Sequence, residues 1–149
     1  WGDEASGILP ICRETGRICI GLRASWVNQP LTWGNFGGAI GLSHEGEQIE
    51  RLSPNDNAIE EFKEETGYDG DIEMYPSYVF ERDNFKYYNF IGVVENEFEL
   101  NLSGMEHIEV LQIKWVTFDE LLSQDKLHTG LSEMIKQSGD QIQDTISKL

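Results

Sequence analysis

The chain has 149 residues, enough for one domain with a sizeable core. Its 39% apolar and 26% charged content is ordinary for a globular protein, but its net charge of −16 is not. A surface that acidic repels nucleic-acid backbones and anionic lipid, which argues against duplex nucleic acid or a membrane as a partner.

Ile8 to Cys12 and Ile18 to Arg23 read as β-strands joined by a turn at Glu14-Thr15-Gly16. Cys12 and Cys19, the only cysteines, sit in these apolar runs. They suit small buried hydrophobes in a reducing, cytoplasmic compartment better than a cross-hairpin disulfide. With three scattered histidines (His44, His107, His128) they give no zinc-site spacing. A loop rich in Trp, Asn and Gly then runs from Ser25 to Gly38, followed by a short strand over Ala39–Leu42 and a polar stretch from Ser43 to Asn57. Ser53-Pro54 offers an N-cap and a first-turn Pro, so a helix is expected over Pro54–Thr66 with Gly67 as its stop. Two longer strands follow, Ile72–Glu81 and Phe85–Val94, around a turn at Arg82-Asp83-Asn84. Another β-run ends at Ile113–Val116, and Thr117-Phe118-Asp119-Glu120 has capping-box form for a short helix over Phe118–Leu122. Leu131, Met134, Ile135, Ile142 and Ile146 recur at helical spacing and predict a C-terminal helix broken near Gly139. Strands dominate, so the fold class is α+β, a layered domain over residues 1–149.

The central helix carries the chemistry. Glu60, Glu61, Glu64 and Glu65 crowd its last two turns. Like charges three or four apart cost a helix about 0.2–0.5 kcal/mol per pair, so a cation is expected to hold them. Ala58, Ile59 and Phe62 share one face, and Glu61, Glu64 and Glu65 form an acidic wall on the other, a donor set suited to a hard divalent ion. The cluster lacks the alternating Asp/Asn loop of a calcium-binding hand.

Gly37-Gly38 followed by Glu61-Phe62-Lys63-Glu64-Glu65-Thr66-Gly67-Tyr68 resembles the signature of the Nudix hydrolase superfamily. The second half of the pattern matches from Glu61 to Tyr68. The first half is stretched, with Gly46-Glu47 at the family's Gly-Glu pair and extra residues on both sides. The order of hairpins around the box and the Trp115–Leu121 element extend the resemblance to nearly the whole chain. One departure stands out: position 60 is Glu where the family has an Arg that orients a catalytic Glu, with Arg51 and Lys63 the nearby cations.

The resemblance implies an α/β/α sandwich with a mixed central sheet. It also implies Mg²⁺-dependent hydrolysis of a phosphoanhydride in a nucleoside diphosphate derivative, by water attack at a carboxylate-bound metal, with Mn²⁺ as the alternative cation. Triphosphates, dinucleoside polyphosphates and ADP-ribose-like compounds all stay open as small-molecule substrates, and a homodimer is compatible with it. The rival readings are an impaired Nudix domain that binds nucleotides, motivated by Glu60, and an acidic metal-binding module. On the residues that match, Glu61 and Glu64 are expected to be catalytic, and Gly38 (through its carbonyl), Glu61, Glu64, Glu65 and Glu106 to hold metal. Glu109 competes with Glu106 for the distal acid. Arg23 and Trp33 are the expected substrate contacts. Trp26, Tyr75, Phe80 and Tyr87 offer faces to a base, although packing is the better single reading for each. Arg82 and Lys86 read as solvated turn charges, and His128 as a cap or packing group beside the helix start at Thr129.

Overall fold

A computed structural model of the chain describes residues 3–45, 48–105 and 107–149, with backbone only at 42–45 and 48–50. Strand β1 (Asp3–Cys12) turns through Gly16, whose φ of 71° suits glycine, into β2 (Ile18–Arg23). These strands meet beside the turn, Ile11 opposite Ile18, and then part. β4 (Phe36–Ala39) takes the place beside β1, with Gly7 opposite Gly37 and Ser6 opposite Gly38. β2 instead pairs with β3 (Trp33–Gly34) and β9 (Val110–Val116). Along its other edge β1 runs parallel to β8 (Phe85–Val94), which is flanked by antiparallel β7 (Glu73–Arg82). The result is a seven-stranded mixed sheet that forks where β1 and β2 separate.

Alternation along β1 feeds two cores. Ile8 joins Phe36, Ala58, Phe62 and Phe90 on one face, under helix α1 (Pro54–Thr66). Leu9 and Ile11 join Ile20, Ile91, Leu131 and Met134 on the other, under α3 (Thr129–Ser147). Helices on both faces make the α/β/α sandwich, and β1, buried on both sides, reads as one apolar run. α1 is bounded as its caps dictate: Ser53 accepts from the Asp56 N–H, and Gly67 adopts the left-handed region at φ 75°. Full burial of Phe62 contributes about 1.5–3 kcal/mol. Thr117 and Glu120 form the expected capping box at α2 (Phe118–Leu122), and α3 breaks at Ser138, next to Gly139. Both cysteines are free and buried. Among the described residues no helix is long and apolar enough to cross a membrane.

Two local expectations fail. The strand expected at Ala39–Leu42 lies earlier, at Phe36–Ala39. Its Gly37-Gly38 core disguises it, since glycine has low strand propensity and is chosen here for close backbone approach. A Cβ on Gly37 would stand 2.4 Å from the Ser6 carbonyl oxygen and 2.6 Å from the Gly7 Cα. The polar stretch before α1 holds a separate hairpin, β5 (Leu42–Glu45) with β6 (Gln48–Arg51). No apolar alternation marks it, because it lies outside the main sheet.

Candidate active site

The fork in the sheet is where α1 meets β4, and a buried asparagine fixes the junction. Asn57 donates to Ser6 Oγ at 3.0 Å and to the Gly38 carbonyl at 3.2 Å, while its side-chain oxygen accepts from the Gly41 N–H at 3.1 Å. Glu61 and Glu65 follow at one-turn intervals on the same stripe. Sequence reading missed Asn57. Its signal was a polar residue one turn before Glu61 on a helix whose partner strand is glycine-rich.

The four glutamates divide into two environments, which corrects the expected simple acidic wall. Glu61 and Glu65 are half-buried toward β4, whereas Glu60 and Glu64 are exposed; Ile59, half-buried, packs against the core cluster of Ala58 and Phe62. Glu61 lies on Gly38: a Cβ there would stand 2.8 Å from the Glu61 carboxylate. Burial first, then the charges of Glu64, Glu109 and Glu60, push the Glu61 pKa up to about 7. The Glu65 pKa is raised well above the usual range, first by burial and then by Glu61 and Glu109, with the Gly37 backbone N–H and Arg23 opposing. Its Oε1 is sealed from solvent and has no hydrogen-bond partner. A buried carboxylate oxygen left so costs several kcal/mol unless a cation meets it. Glu64 is raised by desolvation and by the neighbouring charge of Glu60.

That orphaned oxygen and the all-oxygen donor set fit a hard divalent cation. The Gly38 carbonyl, which accepts from Asn57 at 3.2 Å, lies opposite Ser6 in the β1–β4 ladder. Among the described residues, however, no three acidic, His or Cys side chains already converge as a closed ligand set. Glu106, Gly46 and Glu47 lie outside the described residues. Of the two candidate distal acids, Glu109 has a charge that reaches Glu61, Glu64 and Glu65 alike.

Gly37 and Gly38 also floor a cleft of about 540 Å³. Arg23 and His128 stand on one wall, and Phe80, Arg82, Phe85 and Tyr87 on the other. Arg23 donates through Nε to the Asn28 carbonyl at 2.8 Å and makes no ion pair among the described residues. Arg82 therefore lines the cleft rather than merely solvating the turn, whereas Lys86 pairs with Glu81 at 3.6 Å. Trp33 is not brought to this cleft. It packs on the core, with Lys114 Nζ 4.1 Å from its ring centroid. Trp26 and Tyr75 are exposed elsewhere, and Tyr87 alone of the strand aromatics reaches the glycines, its hydroxyl wedged against Gly7 and Gly37. Neither cation near position 60 replaces the family Arg: Arg51 pairs with Glu4, and Lys63 is exposed without an ion pair among the described residues.

A NUDIX domain family model matches residues 3–137. The chain belongs to the NUDIX family. Members generally hydrolyse pyrophosphate bonds in nucleoside diphosphate derivatives with a divalent cation, usually Mg²⁺, and this chain is a pyrophosphohydrolase by membership. No curated protein sequence matches it. Solved NUDIX structures share its fold. The Nudix hydrolase RenU of M. Smegmatis is 17% identical, with a TM-score of 0.67 over 100% of this chain and 89% of that one. MutT protein from Methanosarcina mazei Go1 is 19% identical, with a TM-score of 0.62 over 93% and 94%. The NUDIX domain of Shewanella oneidensis NrtR, solved with ADP ribose, is 14% identical, with a TM-score of 0.64 over 95% and 89%.

Proposed function

We propose that this NUDIX chain, acting as one domain in the cytoplasm, hydrolyses a phosphoanhydride bond in a nucleoside diphosphate derivative, with Mg²⁺ or Mn²⁺ as cofactor. The observation that carries the reading is Glu65 Oε1, sealed from solvent without a partner one turn from Glu61. Glu65, Glu64 and the Gly38 carbonyl would hold the cation, with Glu61 beside them and Glu64 reaching in from the exposed side of the helix. When bound, the cation supplies charge neutralisation on the phosphates. Glu61, poised near neutrality, accepts the proton of the attacking water at its carboxylate. Asn57 keeps Gly38 and α1 in register, and Arg23 binds a phosphate oxygen from the cleft wall. Gly37 and Gly38 leave room for that approach.

A nucleotide panel with Mg²⁺ tests the reading. Wild-type protein should release nucleotide only with the metal, and Glu65→Gln should abolish release while the fold, followed by circular dichroism, persists. Metal-independent turnover, or full activity in Glu65→Gln, would sink it. One observation favours a second reading, a nucleotide-binding domain with weakened turnover. Glu60 sets a second negative charge beside Glu64 where the family pattern has a cation. Tight binding without release would select that alternative.

A further inference from the structure

The cleft has two chemically different walls. On the β7–β8 side, Phe80 stands opposite Tyr87 and Arg82 opposite Phe85, so all four share one face of the hairpin. The Phe80 and Phe85 rings lie 6.4 Å apart, an aromatic surface for a base. The other wall is polar, with one cation, Arg23, and one carboxylate, Glu133. Gln29, held at φ 49°, exchanges two hydrogen bonds with Thr129, at 2.8 and 3.0 Å, which fixes this wall to the start of α3.

His128 sets the character of that wall. Its Nδ1 accepts from the Gly130 N–H at 2.9 Å, so the ring proton of the neutral imidazole lies on Nε2. Nε2 makes no hydrogen bond to a described residue and is not sealed from solvent. Burial, then Arg23, hold the ring's pKa down to about 4, so at neutral pH it is an uncharged donor. Glu133, half-buried on the same wall, gives Oε1 to Gln137 at 3.1 Å and keeps Oε2 as an acceptor. With Arg23 and Arg82 against Glu133, the cleft lining carries little net positive charge.

With Arg23 already assigned to the phosphate chain, an extra phosphate would meet the remaining groups of this wall, a carboxylate and a neutral ring. Hydroxyl groups, which both donate and accept, would find one partner of each kind. We propose that the cleft selects a nucleoside diphosphate whose second substituent is rich in hydroxyls over a nucleoside triphosphate, and that His128 and Glu133 make the distinction. The inference rests on the hydrolase reading above for its substrate class.

The test compares ADP-ribose with ATP as probes, in Mg²⁺, for wild type, His128→Asn and Glu133→Gln. Asparagine still caps a helix, so the His128→Asn melting temperature reports whether the fold survives. ADP-ribose should be preferred in kcat/KM by about ten-fold or more, since buried polar partners penalise a ligand that cannot satisfy them. Each variant should reduce that preference by about three- to ten-fold, the effect of one hydrogen bond. ATP turned over equally well, or a preference unchanged in both variants, overturns the inference and leaves the hydrolase reading standing. If neither probe is cleaved, calorimetric binding decides. ADP-ribose bound more tightly than ATP, with the difference lost in both variants, supports the wall while the hydrolase reading fails. Equal binding, or none, overturns it.

Discussion

Two stripes of helix α1 carry the same residue type and fare differently. Glu61 and Glu65 continue the line of Asn57 and press toward the Gly37-Gly38 strand; Glu60 and Glu64, one position earlier, face solvent. Water screens the exposed pair, so its repulsion is worth tenths of a kcal/mol. The inner pair loses hydration, and its carboxylates are pushed toward the protonated state. The contrast shows that burial against a backbone, not the number of acids, decides which carboxylates are pushed furthest toward the protonated state.

Neutralising the inner stripe should break the contrast most visibly. Glu61→Gln removes the proton acceptor and should lower kcat by about 10²–10⁴-fold. Glu65→Gln should abolish metal-dependent turnover, since its sealed oxygen then meets the cation as a neutral amide. In metal-free buffer Glu61→Gln should melt higher than wild type near pH 8, because it deletes a half-buried charge. Steady-state kinetics and thermal melts check both statements; an inner-stripe variant with wild-type kinetics would place the chemistry elsewhere.

Asn57→Ala comes next. It leaves Ser6 Oγ, the Gly38 carbonyl and the Gly41 N–H without their partner, and should cost about 1–3 kcal/mol in denaturant unfolding. Activity should fall as well, because Gly38 loses its anchor to the helix that carries Glu61. A stable variant with normal turnover would show that the junction is held by packing alone.

How much of this was readable from sequence follows the same division. The bounds of α1, α2 and β2 were legible because their caps and apolar alternation are local signals. So was the box from Glu61 to Tyr68. The glycine strand β4 and the role of Asn57 were not, since both depend on a strand far away in sequence coming close enough to exclude a side chain. Arg23 was placed on the cleft by topology, whereas Trp33 was misplaced: an aromatic in a glycine-rich loop gives no sign of which side of the sheet it will cover. Arg82 was passed over because a charge beside a turn looks solvated until the facing wall is known.

The pH dependence of the metal-free protein sharpens the comparison at smaller amplitude. Glu61 titrates at about 7 in the folded chain against 4.5 for an ordinary Glu. Between those values the folded state holds more protons, so stability should be greatest below about pH 4.5 and fall as pH rises through about 7. His128 acts with the opposite sign. Its pKa falls from 6.5 to about 4, so its contribution is present above pH 6.5 and is lost as pH drops toward 4. Melting curves of wild type, Glu61→Gln and His128→Asn over this range should separate the two slopes. Glu61→Gln should flatten the decline between pH 6.5 and 7, where His128 no longer titrates.

The outer stripe offers the smallest effect and the most direct question about position 60. Glu60→Arg replaces an i, i+4 repulsion with an attraction to Glu64, a change of about 0.2–0.5 kcal/mol per pair on an exposed helix face. Stability should therefore rise only slightly, and less at high salt. The effect on turnover is independent of that gain. If a cation beside Glu64 orients the inner carboxylates, kcat should increase while the ADP-ribose preference set by the far wall stays where it was. Arginine is the informative choice over lysine, because its planar fork can hold a carboxylate in one orientation. An unchanged kcat in a properly folded Glu60→Arg would mean that burial against Gly38 already fixes Glu61, and that this chain dispenses with the ion pair because the glycine strand does its work.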